Sequence, residues 1–329
     1  MLFKNRILQK IKSKVKLKFK QIGTFPKEPP FCAIFLYHTV ETEPQPWTQG
    51  HRYVTTFDSF KTQINYIKKH FQIVTSSELI ESLRRGDFSQ NTAAIHFDDG
   101  FRSYSDIVVP FLREQQIPST IFLVNSVLDG EIPIRNKLAF CLNNEARSDF
   151  LSAWQKIIDK ENNAYVDFSR MENSDILSWA KQAITKELEE VVAIFYKKYI
   201  RENHHSHPFL DRNEALELKQ ETYVEFGSHT LHHLMLSQLN PEEQQYEIIE
   251  GHKNLEQFLE MELFHFAYPH GGQSHFNKTS EMLVRKYKRI TAYSSYGGVN
   301  SEYCSSNVKR ISLSNHSPME IKLAVLSSL

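Results

Sequence analysis

Continuous apolar runs alternate with amphipathic helical patterns along most of this 329-residue chain. Three of the runs, CAIFLYH, AAIHF and STIFLV, place apolar residues at successive positions and not at every second one. Such runs are typical of strands that are buried on both faces, and these strands alternate with helices in parallel sheets. The sequence therefore predicts an α/β fold with a parallel sheet, either open or closed into a barrel. In both cases, functional groups gather beyond the carboxyl ends of the strands.

Two segments depart from this alternation. Residues 1–30 form a basic N-terminal arm and a proline-marked linker, and we predict that the folded domain spans residues 31–329. Residues 137–203 carry only helical patterns, which predicts an inserted helical subdomain that would serve as a lid over a site.

The basic arm itself allows two interpretations. Residues 1–23 combine many lysines with no acidic residue, and their apolar residues fall near helical spacing. A helix that lies on an anionic membrane surface is one interpretation, and a solvated basic arm is the other. The arm has no uninterrupted apolar stretch, so we expect neither a secretory signal nor a membrane span. We therefore expect a cytoplasmic protein, peripheral at the inner face of the cell membrane if the first interpretation holds.

The bulk composition argues against two further classes of protein. The chain has 39 basic and 39 acidic residues, and a net charge of zero does not suit a nucleic-acid-binding protein. Its three cysteines are scattered without a Cys-x-x-Cys pair. This spacing argues against a disulfide framework or a thiolate zinc site, and it fits a reducing compartment.

Two adjacent carboxylates, Asp98 and Asp99, end a predicted buried strand in IHFDDGF. Asp-Gly is a common turn dipeptide, so a solvated turn is the simplest interpretation. The stretch FGSHTLHH also follows an apolar strand, and it places His229 and His233 four residues apart. On a helical turn this spacing brings both imidazoles to one face, and His232 in place of His233 would serve nearly as well. Two imidazoles and a carboxylate with open positions make a hydrolytic site for zinc or a similar divalent ion.

Three further signals lie at predicted strand ends or in the loops after them. FAYPHGG puts a proline and two glycines where backbone amides would face a substrate, although a plain turn would have the same composition. His38 ends the first strand in LYHTV, where a hydrogen-bonded core histidine is the alternative to a catalytic one. Trp47 lies in the loop after that strand, where it would either stack on a sugar ring or anchor the loop.

Together, LYHTV, IHFDDGF, SHTLHH and FAYPHGG resemble the motifs of the NodB-homology polysaccharide deacetylases, carbohydrate esterase family four. The resemblance covers nearly the whole chain from residue 31, apart from the helical insert. It implies an irregular (β/α) barrel. By position it also implies that Asp98 is the catalytic base, and that Asp99, His229 and His233 are the ligands of a divalent metal, expected to be Zn²⁺.

The same resemblance assigns Pro269 to the substrate groove and the backbone amide of His270 to the oxyanion of the reaction. Ala267 stands where the family usually carries an arginine that orients the catalytic base, so the sequence leaves open what orients it here. For the general acid there are two candidates, His38 after the first strand and His316 in RISLSNH. We favour His38, because relatives that open with a Tyr-His strand draw the acid from that position.

The expected activity is removal of N-acetyl groups from an amino sugar of a glycan or glycan precursor, in the synthesis of bacterial cell-surface polysaccharides. A cytoplasmic enzyme would meet precursors such as a lipid-linked sugar. Two alternatives stay open: an O-deacetylase or deformylase that uses the same site, and a non-catalytic carbohydrate-binding protein on a degenerate deacetylase scaffold. Ala267 motivates the second alternative, and the intact set of aspartates and histidines argues against it.

Overall fold

The computed structural model describes residues 25–26, 30–145, 147–162, 166–180, 185–203, 207–287 and 289–329. The predictions for residues 1–23 lie outside these ranges. Within them the chain forms strands β1 (Cys32–Tyr37), β2 (Thr39–Glu41), β3 (Val54–Thr56), β4 (Gln72–Ile73), β5 (Thr92–Phe97), β6 (Ser119–Leu123), β7 (Val224–Ser228), β8 (His265–Ala267), β9 (Thr291–Gly297) and β10 (Val308–Ser312).

Seven of these strands, β1 and β5 to β10, run parallel and close into a barrel. The closing pair is β1 with β5, in register from Cys32–Thr92 to Tyr37–Phe97. β4 pairs with the first residues of β5, and β6 pairs with its last residues. β4 therefore takes the place of β6 beside the start of β5. β2 and β3 form a separate two-stranded parallel sheet. The predicted irregular (β/α) barrel is confirmed.

Helices connect most of the barrel strands. They are α1 (Phe57–His70), α2 (Ser76–Arg85), α3 (Val109–Glu114), α4 (Asn125–Leu128), α5 (Ile134–Leu142), α6 (Arg147–Asn162), α7 (Asn173–Ala180), α8 (Lys186–Asn203), α9 (Arg212–Leu218), α10 (Pro241–Gln245), α11 (Gly251–Leu259), α12 (Lys278–Lys286) and α13 (Pro318–Leu326). π-Helical turns over Tyr104–Val108 and Tyr246–Glu250 lead into α3 and α11. None of the helices in the described ranges is long and apolar enough to cross a membrane.

The barrel is filled by side chains and closed at one end by α2. Large residues from opposite strands, Phe122 of β6 and Tyr293 of β9, pack with Leu79 and Leu83 of α2 in one buried cluster. That cluster includes Cys32, the first residue of β1, so α2 covers the end where the strands begin. The opposite end, where the strands finish, stays free for a site.

The segment between α4 and α9 has a hydrophobic core of its own. Trp154 of α6, Leu177 of α7 and Val192 of α8 pack together with residues of α5 in a cluster separate from the barrel core. α5 also faces the barrel side, where Phe140 stacks on Trp47 with ring centroids 4.3 Å apart. The segment is thus a packed helical unit that begins at α5 and contacts the barrel side through α5 and α8.

Candidate active site

The polar residues singled out in the sequence converge at the open end of the barrel. Asp98 and Asp99 directly follow β5, His229 directly follows β7, and Pro269 and His270 follow β8. Because the barrel strands are parallel, their carboxyl ends share one rim. Side chains that are far apart in sequence therefore come within contact distance there.

Asp98 and Asp99 both reach the same imidazole, although adjacent side chains of a strand point to opposite faces. Asp99 has a left-handed backbone conformation, with φ of 75°, which ends the strand and redirects its side chain. As a result, Nε2 of His229 lies 3.9 Å from Asp98 Oδ2 and 3.4 Å from Asp99 Oδ1. The predicted Asp-Gly turn is present, and it delivers both carboxylates to one place.

Asp99, His229 and His233 form a buried cluster whose potential ligand atoms all lie within 4.8 Å of one another. Oδ1 of Asp99 is 3.4 Å from His229 Nε2 and 3.2 Å from His233 Nε2. This oxygen has no hydrogen-bond partner among the described residues. One carboxylate oxygen and two imidazole nitrogens therefore face the same small space. This is the arrangement of a zinc site with three protein ligands and open coordination positions.

The hydrogen bond on the far side of His229 tests whether this cluster suits a cation. Nδ1 of His229 lies 2.7 Å from the carbonyl oxygen of Ala267, and a carbonyl only accepts, so Nδ1 carries the proton. In the neutral imidazole, Nε2 then presents a lone pair to the unpartnered oxygen of Asp99. Two facing lone pairs repel each other unless a proton or a metal ion lies between them, and a backbone carbonyl behind the histidine is the usual support for a metal ligand. The residues present therefore fit a divalent metal.

The histidine pair is brought together by a loop and not by the helical turn that the spacing suggested. Residues 229–235 lie between β7 and a short 3₁₀ turn, Leu236–Gln238, and contain no helix. Thr230 and His233 both have positive φ, 69° and 59°. The hydroxyl of Thr230 accepts a hydrogen bond from the amide of His233 at 3.0 Å. This backbone reversal brings His233 back beside His229, so the four-residue spacing was interpreted with the wrong geometry.

Arg310 orients Asp98 and was missed in the sequence. Its guanidinium donates to Asp98 Oδ1 at 2.8 Å and to Oδ2 at 2.7 Å, and its Nε donates to the carbonyl of Ser294 at 2.7 Å. Arg310 is only 1% exposed and projects into the barrel from β10. It supplies from a different strand the arginine that is absent at Ala267. The only signal in VKRISL was a charged residue at an inward position of a buried strand.

Opposing effects set the charge of the two aspartates. Burial alone would raise the pKa of Asp98, but Arg310 and His229 outweigh it and hold that pKa below its ordinary value. Burial would likewise raise the pKa of Asp99, and the two imidazoles together with Arg135 hold it well below the ordinary range. Both carboxylates are therefore ionised at neutral pH, as a proton acceptor and a metal ligand must be.

Arg135 is a second residue that the sequence did not reveal. It lies on α5, the first helix of the insert, and donates to Asp99 Oδ2 at 3.0 Å. Its guanidinium also lies over the ring of Tyr53, 5.1 Å from the centroid. The insert therefore forms one wall of the site, and this contact leaves Asp99 Oδ1 turned toward the histidines.

His38 lies at the end of β1 and belongs to the same site. Its ring stacks on Tyr53 at 5.1 Å, and Tyr53 is fixed by a hydrogen bond from Asn136 of α5 at 3.0 Å. Burial lowers the pKa of His38 to about 4, although the charges of Asp99 and Asp98 act to raise it. Its Nδ1 has no partner among the described residues. His38 is thus a neutral imidazole beside both aspartates.

His316, the other candidate for the general acid, is held in its own turn. Its Nδ1 accepts a hydrogen bond from the Ser314 amide at 2.9 Å, and its carbonyl accepts one from Gln63 of α1 at 2.8 Å. It forms no hydrogen bond or ion pair with Asp98 or Asp99. The two histidines therefore differ in place: the charges of both aspartates act on His38, whereas His316 is hydrogen-bonded within its own turn.

Pro269 and His270 form the rim of the site beside the histidine loop. The ring of His270 lies 4.6 Å from that of His233, and its backbone is left-handed with φ of 60°. Its carbonyl accepts a hydrogen bond from the Ser295 hydroxyl at 2.8 Å, and its amide donates to no described residue. An unused amide near the cluster is available to an oxyanion.

Trp47 does not line the site. It is 2% exposed and packs in a cluster with Phe101, Val127, Phe140 and neighbouring apolar side chains. A ring that is covered on this scale has no face left for a sugar. The interpretation as a sugar-stacking residue is therefore wrong, and Trp47 anchors its loop against α5.

Comparison with known proteins gives one family. The sequence pattern of the family described as polysaccharide deacetylase matches residues 85–289. A poly-beta-1,6-N-acetyl-D-glucosamine N-deacetylase of Staphylococcus epidermidis is 33% identical over 75 residues, which is 22% of this chain and 26% of that protein. The match thus spans about a quarter of the relative.

Solved structures with the same fold are also known. The Streptococcus pyogenes deacetylase PplD, in complex with acetate, has a TM-score of 0.59 at 14% identity, with 90% of this chain and 99% of that chain covered. IcaB from Ammonifex degensii has a TM-score of 0.56 at 16% identity, with 90% and 97% covered. At these identities the likeness concerns the fold.

Proposed function

Because this chain belongs to the polysaccharide deacetylase family, we propose that it is a divalent-metal-dependent enzyme that removes N-acetyl groups from an amino sugar of a glycan or glycan precursor. The observation that carries the proposal is that the two adjacent aspartates at the end of β5 have different surroundings. Asp99 shares a cluster with His229 and His233, whereas Asp98 is outside that cluster and is held by Arg310.

The proposed metal ligands are Asp99, His229 and His233, and Zn²⁺ is the ion that suits two imidazoles and one carboxylate. When bound, such an ion lowers the pKa of a coordinated water from ~15.7 toward ~7 and polarises a carbonyl group. The Ala267 carbonyl fixes the proton of His229 on Nδ1, and Arg135 holds the other oxygen of Asp99.

Asp98 is proposed to act as the general base. It is ionised, it lies beside the cluster, and Arg310 holds one lone pair of each of its oxygens. Each carboxylate oxygen keeps a further lone pair that can accept the proton of an attacking water. The amide of His270 is proposed to donate to the oxyanion formed at the acetyl carbonyl, and one such donor is worth ~3 kcal/mol.

His38 is proposed to protonate the departing amine. Its pKa of about 4 means that it is neutral before the reaction, so it must take up a proton before it can give one to the amine. Asp98, which has just accepted the proton of the attacking water, lies close enough to influence the charge of His38 and is the nearest source. The products are acetate and a free amino sugar.

The substrate is proposed to be a polymer or precursor that contains N-acetylglucosamine. Support comes from the S. epidermidis relative, whose name specifies poly-beta-1,6-N-acetyl-D-glucosamine. An O-acetyl or N-formyl group would use the same residues, and a lipid-linked sugar precursor is a further candidate. Ala267 no longer favours a non-catalytic carbohydrate-binding protein, because Arg310 fills the role of the missing arginine.

Release of acetate, or of formate from formylated analogues, tests the proposal. We would incubate the protein with β-1,6-linked N-acetylglucosamine oligomers, with O-acetylated and N-formylated analogues, and with lipid-linked N-acetylglucosamine. We expect acetate from the N-acetyl substrates, loss of activity with a chelator, and recovery with Zn²⁺. Turnover that is unaffected by complete metal removal would refute the metal-dependent mechanism, and preferred turnover of the O-acetyl or formyl analogue would replace the proposed reaction.

The place of the enzyme in the cell is also a proposal. The predicted cytoplasmic location, and the contact of residues 1–23 with an anionic membrane surface, stay predictions. Binding to anionic vesicles that weakens with salt, and that is lost when residues 1–23 are deleted, would support the membrane contact. Absence of binding at low salt would refute it.

A further inference from the structure

The loop that carries both histidines has a backbone that needs external support. Thr230 is β-branched and yet has φ of 69°, and His233 follows with φ of 59°. Side chains other than glycine seldom adopt this conformation, least of all β-branched ones. Such strained residues persist only where the surrounding structure over-determines them. The contacts of residues 229–233 show which groups provide that support.

Glu247 supports the loop from the continuous helical segment that runs from α10 through the π-helical turn to α11. Its carboxylate is 3% exposed and contacts a single residue twice. Oε2 accepts a hydrogen bond from the backbone amide of His232 at 2.9 Å, and Oε1 accepts one from Nδ1 of the same residue at 2.6 Å. His232 is partly exposed, with 45% of its side chain accessible. A buried carboxylate is thus committed to the residue that precedes the ligand His233.

The main chain around Glu247 is shaped to bring it close. Glu247 lies in the π-helical turn Tyr246–Glu250, and turns of this type are frequent at functional sites. Gly251 follows directly, and a Cβ atom there would lie 2.8 Å from the amide nitrogen of Leu231. Only glycine therefore lets the helix approach the loop this closely.

Asn125 of α4 gives the loop a second support. Its side-chain amide donates to the carbonyl of Thr230 at 3.2 Å and to that of Gly251 at 3.0 Å. The amide of Ser126 donates to the carbonyl of Leu231 at 2.9 Å. The loop is thus held by side-chain and backbone donors of α4 and by the carboxylate of Glu247.

We propose that Glu247 is a positioning residue that preorganises the two histidine ligands by fixing the loop at His232. The inference rests on the proposed metal site, because its benefit is the affinity of that site. Glu247 does not touch the three ligand side chains. Its effect passes through the backbone of His232 to His233, whose Nε2 must stay 3.2 Å from Asp99. His232, outside the ligand set, has its function in this contact.

The test compares metal affinity in three variants of the full chain. Glu247→Ala removes both acceptors, Glu247→Gln keeps an oxygen for the amide of His232, and Glu243→Ala is the matched control. Glu243 lies on the adjacent helix α10, and its carboxylate accepts a hydrogen bond from the amide of the helix N-cap, Asn240. Metal-free protein would be titrated with Zn²⁺ in competition with a chromophoric chelator, and thermal unfolding of the metal-free variants would be recorded alongside.

We expect Glu247→Ala to bind Zn²⁺ about 10- to 100-fold more weakly than the wild type, as is usual for lost supports of metal ligands. Glu247→Gln should recover most of the affinity, and Glu243→Ala should match the wild type. Affinity of Glu247→Ala within twofold of the wild type would overturn the inference. The inference would also be overturned if Glu243→Ala lost as much Zn²⁺ affinity as Glu247→Ala, because the loss would then reflect the general stability of the helix.

Hydrogen exchange provides a readout that does not depend on the metal. In metal-free wild type and in Glu247→Gln, the amide of His232 should exchange at least tenfold more slowly than in Glu247→Ala. If Glu247→Ala folds poorly, Glu247→Met takes its place, because methionine keeps the length of the side chain without the carboxylate acceptor. Equal exchange rates with and without the acceptor would overturn the inference. If the wild type binds no divalent ion while the His232 amide is protected, the proposed function fails and the structural contact stands apart from it.

Discussion

The guanidinium of Arg310 donates two hydrogen bonds, 2.8 and 2.7 Å long, to the carboxylate of Asp98, although the two residues are 212 positions apart in sequence. Both partners are buried and oppositely charged. The family resemblance places an orienting arginine at the position of Ala267, which cannot make this contact. Here the contact with the proposed base comes from Arg310 on β10.

Arg310→Lys should lower kcat about 10- to 100-fold, because lysine keeps the charge but cannot hold the carboxylate in a bidentate geometry. KM and Zn²⁺ content should stay near the wild-type values, since neither depends on Asp98. Steady-state kinetics and metal analysis check both points. In an Asp98→Asn background the same substitution should have no further effect on kcat, and an undiminished loss there would show that Arg310 acts elsewhere.

Asp98→Asn should lower kcat about 10²- to 10⁴-fold, the usual contribution of a general base. The metal should stay bound, because Asp98 is outside the ligand cluster. Asp106→Asn, at an exposed position after the same strand, is the control and should be fully active. Full deacetylase activity of Asp98→Asn with metal in place would remove Asp98 from the mechanism.

His233→Ala should abolish the stabilisation of the protein by Zn²⁺. At an ion concentration about 100 times its dissociation constant, a bound ligand raises the free energy of unfolding by ~2.7 kcal/mol. Wild type should show this gain in chemical denaturation, and His233→Ala should show almost none. His275→Ala is the comparison, because its ring is near His270 but outside the cluster. An equal gain in His233→Ala would exclude His233 as a ligand.

His38→Ala should lower kcat on an N-acetyl substrate about 10²- to 10⁴-fold, whereas His316→Ala should stay within a few-fold of the wild type. An activated ester such as 4-nitrophenyl acetate needs no protonation of its leaving group. His38→Ala should therefore retain activity on that ester if His38 is the general acid. The opposite ranking of the two variants on the N-acetyl substrate would assign the acid to His316.

The protein should lose stability between pH 7.5 and 5 through histidines that are buried in the neutral state. Burial lowers the pKa of His252 to about 4, with partial opposition from Glu256, and it lowers the pKa of His96 and His265 as well. In the unfolded chain a histidine takes up a proton near pH 6.5. Below that pH the unfolded state binds more protons than the folded state, so the free energy of unfolding falls as the pH falls toward 4.

Urea denaturation at pH 7.5 and at pH 5 measures this loss. His252→Gln removes one titrating group and should reduce the difference between the two pH values, although it also weakens the hydrogen bonds of His252 to Ser228 and Leu263. The quantity to compare between the two proteins is therefore the change in free energy of unfolding from pH 7.5 to pH 5, and not the free energy of unfolding at either pH. A wild-type protein that is as stable at pH 5 as at pH 7.5 would contradict the prediction.

The strands that could be predicted from the sequence are those with continuous apolar runs. β9, with the sequence TAYSSYG, was missed because its serines and tyrosines give it no apolar run, although its first four residues are buried. Its side chains meet polar partners inside the barrel, as in the hydrogen bond between Tyr293 and His265. A strand whose burial depends on such partners cannot be recognised from its own composition.

In the site, the residues that belong to short sequence motifs could be predicted from the sequence. The residues that are far from those motifs in sequence, and reach the site only through folding, could not. Asp98, Asp99, His229 and His233 lie in two short motifs whose chemistry is legible in the sequence. Arg135 and Arg310 contact those aspartates only because the insert and the last strand fold against them. The geometry of the histidine loop was also hidden, because positive φ at Thr230 is imposed by contacts outside the loop.

The position of Arg310 on β10 ties activity to the order in which the chain is made. At synthesis rates of about 5–20 residues per second, the aspartates and both histidines leave the ribosome several seconds before Arg310. β10 must then insert between β9 and β1 before the guanidinium reaches Asp98. A nascent chain, or one truncated before this strand, contains every proposed metal ligand but lacks the residue that aligns the proposed base. Full activity is therefore expected only after β10 has joined the barrel.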